Sequence, residues 1–150
     1  MHASQVNIAM IMIPKVSIAL LHTNDTVRQG LELMRRHGYT AVPVLDENET
    51  YMGSVTEGDF LRHVLATGTT DFKSHEQYRI GEIFRKNFCK PLHIFAPMSA
   101  LIQTSLEQNF VPIVDDRNCL CGIVTRRSLI SFLSRRLEGQ QMGVCETESK

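Results

Sequence analysis

The chain has 150 residues, with 16 basic and 16 acidic side chains and a formal net charge of zero. At 43% hydrophobic and 21% charged it is an ordinary globular composition, long enough for one compact domain or two small units sharing a core. The even charge balance argues against a general nucleic-acid binder, which needs an excess of Lys and Arg. No apolar run reaches the roughly 20 residues that cross a bilayer. Residues 6–13 are apolar but few, contain Asn7 and follow no basic segment, so no cleaved signal peptide is expected. Cys89, Cys119, Cys121 and Cys145 form neither a C-x-x-C pair nor a disulfide framework. Reduced thiols in a cytoplasmic protein are the expectation, with no zinc site.

In chain order, residues 6–12 predict a short lead-in helix and 16–21 a first strand. Val27, Leu31 and Met34 recur at helical spacing, with Asp25 placed to cap the helix and Gly38 to end it. Ala41–Leu45 predicts a short buried strand containing Pro43. A proline cannot donate to a ladder, so this strand is an edge or its proline stands where no bond is needed. A polar turn over 46–49 leads to a strand over Tyr51–Thr56, and Phe60, Leu61, Val64 and Leu65 mark an amphipathic helix. Residues 66–77 are polar and read as a linker. A second lead-in follows over 80–84, then a helix over 101–106, strands over 111–114 and Leu120–Thr125, and a helix over 129–137. The final stretch, 139–150, lacks periodicity and predicts a flexible tail.

Two matches reveal a repeat. Val42-Pro43-Val44-Leu45-Asp46 resembles Val111-Pro112-Ile113-Val114-Asp115, and Gly53-Ser54-Val55-Thr56 resembles Gly122-Ile123-Val124-Thr125, both 69 residues apart. One shared offset means that no insertion separates the matches. Each unit is β-α-β-β-α, and one unit alone exposes an apolar sheet face. The expected fold is therefore α/β (α+β), with two pseudo-symmetric repeats packed sheet to sheet. The first occupies 1–68 with its lead-in, 69–78 is linker, the second is 79–138, and 139–150 is the tail.

The doubled unit, its Val-Pro strand and its Gly-x-Val-Thr strand-to-helix junction resemble a tandem pair of cystathionine-β-synthase (CBS) domains, a Bateman module, over residues 6–138. Gly38-Tyr39-Thr40-Ala41-Val42-Pro43-Val44-Leu45-Asp46 and Gly122-Ile123-Val124-Thr125-Arg126-Arg127 are most similar to the stand-alone cyclic di-AMP-binding members from Gram-positive bacteria. The resemblance implies a non-catalytic adenine-nucleotide sensor that works as a homodimer and controls a protein partner, such as an alarmone synthetase or a metabolic enzyme. It implies no cofactor, nucleic acid or membrane.

Candidate site residues fall at the two junctions. Thr56 and Asp59 share the first turn of a helix, where the amide dipoles favour a phosphate and a carboxylate could accept a ribose diol. They could equally do no more than cap that helix. In the second copy Ser128 replaces the acid, while Arg126 and Arg127 follow Thr125. Guanidiniums suit phosphate, and a cyclic dinucleotide has esterified ribose 3′ oxygens. A solvated helix start is the plain alternative. By resemblance, Lys15 and Ser17 line the same cleft, with the backbone near Ser17 meeting an adenine edge. Tyr39, Thr40, Ala41 and Pro43 complete it, Tyr39 covering a base by its ring face.

For Lys15 a surface lysine, and for Tyr39 a half-buried aromatic, remain open. Phe60, Leu61, Leu129 and Phe132 are candidates for a dimer interface or for the core. His22 and His93 have no partner at metal or triad spacing, and no nucleophile, base and orienting group assemble. Three functions stay in play: a cyclic di-AMP receptor, an AMP, ADP or ATP sensor using Thr56 and Asp59, and a ligand-free dimerisation scaffold.

Overall fold

The computed structural model describes residues 6–148, with side-chain surroundings given through residue 139. Eight strands and four helices run in chain order: β1 (Ile13–Pro14), β2 (Leu21–His22), α1 (Val27–His37), β3 (Ala41–Leu45), β4 (Tyr51–Thr56), α2 (Glu57–Thr67), β5 (Arg85–Lys86), β6 (Leu92–His93), α3 (Met98–Glu107), β7 (Phe110–Val114), β8 (Leu120–Thr125) and α4 (Arg126–Glu148). They build two four-stranded sheets, ordered β2-β3-β4-β5 and β1-β8-β7-β6. Each hairpin of long strands is antiparallel, and β2 and β6 join in parallel.

The edge strands are exchanged between repeats. β1, at the start of the chain, pairs with β8 of the second repeat, while β5 of the second lead-in pairs with β4 of the first. Close approach at both junctions requires glycine. A Cβ at Gly53 would strike the Arg85 carbonyl, and one at Gly122 would strike the Ile13 carbonyl and the Met12 side chain.

Local chemistry explains the helix ends. Thr26, not Asp25, caps α1: its hydroxyl accepts from Gln29 N–H at 3.0 Å and the Gln29 side-chain Oε1 accepts from Thr26 N–H at 2.8 Å. Asp25 instead accepts from His22 N–H, steadying the preceding turn. Gly38 ends the helix with φ +66°, the left-handed geometry that glycine tolerates best. The expected strand over 16–21 is not there. Lys15–Ser17 form a 3-10 turn between the two-residue strands β1 and β2.

Pro43 resolves as the second of its two alternatives. β3 lies inside its sheet, but β2 pairs only with Val44 and Leu45, so Pro43 stands beyond the end of that ladder.

Each sheet carries its helices on one face. Val27, Val42, Val55, Phe60 and Ile80 fill one core, and Ile8, Leu101, Val111, Val124 and Leu129 fill the other. A third cluster of Leu45, Tyr51, Val114 and Leu120 joins the sheets. Its members are matched by the 69-residue offset, as are two reciprocal bonds across it: Tyr51 N–H to Asn118 carbonyl (2.9 Å) and Leu120 N–H to Glu49 carbonyl (3.1 Å). Glu49 and Asn118 both adopt positive φ, 65° and 63°.

Phe60 and Leu129 are core residues and Phe132 is half-buried against the core, whereas Leu61 is exposed. The segment given as linker is partly built in: Phe72–Gln77 form a 3-10 helix packed on α1, with His75 fully buried and bonded to His63 and the Thr69 carbonyl. His22 and His93 each meet an acid, Glu49 and Asp116, at 2.6 Å. The backbone of the expected tail continues α4 through Glu148, and residues 149–150 lie outside the described residues. Among the described residues, no helix is long and apolar enough to cross a membrane.

Gly53→Ala or Gly122→Ala should displace an exchanged strand and cost about 2 kcal/mol or more in denaturant unfolding. A neutral result for both would contradict the close approach.

Candidate functional site

Strand exchange makes two clefts between the repeats. The segment after β1 faces the start of β3 across the first, and the segment after β5 faces the start of β7 across the second. The first cleft encloses about 260 Å³. Ser17, Tyr39, Thr40, Ala41, Pro43 and Thr125 all line it, so six of the expected residues converge from three separate parts of the chain. Ile13, Ile18, Ile123 and Phe110 supply apolar wall that sequence reasoning missed, together with Ala19 and Asn109. The repeat itself carried a signal for two of these, because Asn109 and Phe110 stand 69 residues after Thr40 and Ala41.

The polar groups of this cleft are specific. Ala19 borders it, and neither its N–H nor its carbonyl has a hydrogen-bond partner among the described residues. The Thr125 hydroxyl accepts from Ser128 N–H at 3.0 Å, and the Ser128 hydroxyl accepts from Thr125 N–H at 3.0 Å, capping α4. That leaves the Thr125 O–H proton free at the positive end of the helix. The Tyr39 ring stacks on His37 with centroids 5.4 Å apart and stays 42% exposed, so it is free to cover a flat ligand.

Three expected residues do not line the cavity. Lys15 extends to Glu49, with Nζ 3.2 Å from the carboxylate. Arg126 closes the C-terminal end of α3, Nε donating to the Ser105 carbonyl at 2.8 Å. Its reach toward those carbonyls explains a cation at the start of α4, where the dipole alone would disfavour it. Arg127 is exposed on the first turn of α4.

The second cleft encloses about 520 Å³ and is lined by Thr56, Asn87, Phe88, Cys89, Lys90 and Gln108 among others, sharing Thr40, Ala41 and Asn109 with the first. The Tyr51 hydroxyl, 2.7 Å from the carbonyls of Phe88 and Cys89 and 2.9 Å from Ser54 Oγ, holds its floor. Burial pushes both the Tyr51 phenol and the Cys89 thiol above their usual values. Asp59, expected as a ribose acceptor, is buried in a capping box and does not line this cleft. One oxygen accepts from Thr56 N–H (2.8 Å) and its hydroxyl (3.0 Å), and the other from Arg62 (2.6 Å) and Arg85 (2.9 Å). Burial alone would raise its carboxyl, but the Thr56 amide and the Arg85 and Arg62 guanidiniums outweigh it and hold it below the usual range.

Comparison with known proteins gives this geometry a family. The CBS domain model matches residues 8–66 and again 82–135. The chain belongs to the CBS-domain family. Cyclic di-AMP receptor B of Bacillus subtilis (strain 168) is 22% identical over 133 residues, covering 89% of this chain and 90% of that protein. A crystal structure of CbpB in complex with c-di-AMP superposes with a TM-score of 0.82 at 20% identity, covering 92% of this chain and 91% of that one. CBSX2 in complex with AMP superposes at 0.69 with 21% identity, covering 87% and 98%. At these identities the solved structures establish a shared fold: a CBS pair of two sheets flanked by helices.

Asp59→Ala should cost about 2 kcal/mol, since it removes half of the α2 capping box and leaves two guanidiniums without their carboxylate. The Asp59 carboxyl sits below its unfolded value, so its contribution is complete above about pH 4 and fades as pH falls through the depressed value. Thermal unfolding of wild type and variant should therefore differ at neutral pH and converge in acid. A gap that persists unchanged in acid would contradict this.

Proposed function

We propose that the protein is a non-catalytic adenine-nucleotide sensor, with cyclic di-AMP as its ligand in the first cleft. The observation that carries this is the convergence of Ser17, Tyr39, Thr40, Ala41, Pro43 and Thr125 on one cavity beside the unpaired Ala19 peptide groups. A purine lies between Ile18 and Ile123 with Tyr39 over its face. Ala19 offers N–H to a ring nitrogen and its carbonyl to an exocyclic amine. Phosphates meet the Thr40 and Thr125 hydroxyls and the start of α4, with Arg127 at hand.

Each ribose of a cyclic dinucleotide has its 3′ oxygen esterified, so no diol acceptor is required. That fits Ser128 at the position matching Asp59. The relatives named for cyclic di-AMP support the same ligand.

The alternative, an AMP, ADP or ATP sensor using Thr56 and Asp59, needs a free carboxylate. Both Asp59 oxygens are engaged, which favours the first cleft. The AMP complex of CBSX2 keeps this alternative worth testing.

The sensor works as a homodimer through its helices. Leu61 and Leu65 on α2 and Ile130, Leu133 and Leu137 on α4 are exposed and apolar, with Leu61 and Ile130 matched by the repeat offset. This face replaces the expected Phe60 and Leu129, which are buried. The output is a cytoplasmic protein partner, such as an alarmone synthetase or a metabolic enzyme, that distinguishes the free from the occupied module.

Calorimetric titration of nucleotide-stripped protein should give saturable binding with cyclic di-AMP and far weaker heats with AMP and ATP. Arg127→Ala should weaken cyclic di-AMP about tenfold or more, about 1.4 kcal/mol, and Asp59→Ala should leave its affinity unchanged at a temperature where the variant is folded. Preference for AMP or ATP, lost in Asp59→Ala, would instead establish the alternative. No binding by any of the three would leave a scaffold.

A further inference from the structure

The two clefts are related by the repeat but differ in one side chain that alters what each can hold. Strand register sets the correspondence: Leu21 pairs with Val44 and Leu92 with Ile113, so Lys90 stands two residues before β6 as Ala19 stands two residues before β2. Across the first cleft from Ala19 is Tyr39. Across the second from Lys90 is Gln108, 69 residues after Tyr39.

The Gln108 carboxamide is bonded to both peptide groups of Lys90. Its Oε1 accepts from Lys90 N–H at 3.0 Å, and its Nε2 donates to the Lys90 carbonyl at 2.9 Å and to the Phe110 carbonyl at 2.9 Å. A carboxamide presents an acceptor beside a donor, and so does the adenine edge, with N1 accepting and the N6 amine donating. Tyr39 has no such pair to offer, and the Ala19 N–H and carbonyl stay unbonded among the described residues.

We infer that Gln108 is a built-in substitute for the base in the second cleft: its amide occupies the donor–acceptor pair that a nucleobase would use, so the module takes an adenine only where Ala19 leaves that pair open. This rests on the reading of the first cleft as an adenine site. The wider second cleft therefore does not add a second base site. Asn87, Glu107 and Lys90 line it beside the clasp. A purine competing for Lys90 would first have to break three hydrogen bonds that cost no binding entropy to keep.

The test is Gln108→Ala, with two readouts. Hydrogen exchange at the Lys90 amide should accelerate at least tenfold in the nucleotide-free variant and slow again when an adenine nucleotide is added. Calorimetric titration with AMP and with cyclic di-AMP should pass from one adenine site per chain in the wild type to a second adenine-binding event in Gln108→Ala.

Two bound equivalents per chain in the wild type would overturn the inference. So would open Lys90 exchange with no gain in nucleotide binding, because the amide would then be a fastening and not a substitute. Unchanged exchange would overturn the clasp itself. If the wild type binds no nucleotide, the proposed function fails, while a gain of AMP binding in Gln108→Ala alone would still uphold the role of Gln108.

Discussion

Strand exchange is the constraint on which the rest of the molecule depends. Because β1 completes the sheet of the second repeat and β5 that of the first, neither repeat has a finished sheet without the other. The exchange also draws residues 17–19 and 87–90 across the boundary, and these segments form one wall of each cleft. The clefts are thus a by-product of how the sheets are closed. Gly53 and Gly122 permit it, since any side chain there would collide with the arriving strand. A short two-residue strand adds little on its own. It is held by the cores beneath, where Ile8 and Ile80 of the two lead-ins are fully buried.

Within that symmetric frame, function resides in the departures from symmetry. Asp59 is matched by Ser128, Tyr39 by Gln108 and Ala41 by Phe110. In the first repeat the carboxylate, already bonded to Arg62 on its own helix, joins α2 to Arg85 of β5 and becomes part of the structure that holds that strand. In the second, Ser128 only caps α4, and Arg126 spans to the end of α3. The first cleft keeps the unpaired Ala19 peptide groups and an exposed aromatic, the features on which the proposed ligand site rests. In the second, the Lys90 peptide groups are bonded to Gln108.

Much of this was legible in the sequence. The 69-residue offset fixed the hairpins, the order of elements and the two-sheet core, and the family resemblance pointed to Tyr39, Thr40 and Thr125 as residues of one cleft. Other features left no local trace. A two-residue exchanged strand has no periodicity, so 16–21 read as continuous strand where the chain makes a turn between β1 and β2. Asp25 and Thr26 are both good caps, and only geometry separates them. Side-chain direction was equally hidden: Lys15, Arg126 and Asp59 carry chemistry suited to a nucleotide, yet each is bonded to its own chain. The Gln108 clasp depends on Lys90, 18 residues away, which no pattern in either segment announces.

The proposed function depends above all on an adenine meeting the backbone of Ala19 in the first cleft. Amide NMR during titration with cyclic di-AMP tests it most directly, because it reports on each peptide group separately. The largest saturable shifts are expected at Ala19 and its neighbours, at Tyr39 and Thr40, and at Thr125 and the first turn of α4, with Lys90 little changed. Shifts centred on Lys90, Thr56 and the start of α2, with Ala19 unmoved, would contradict it.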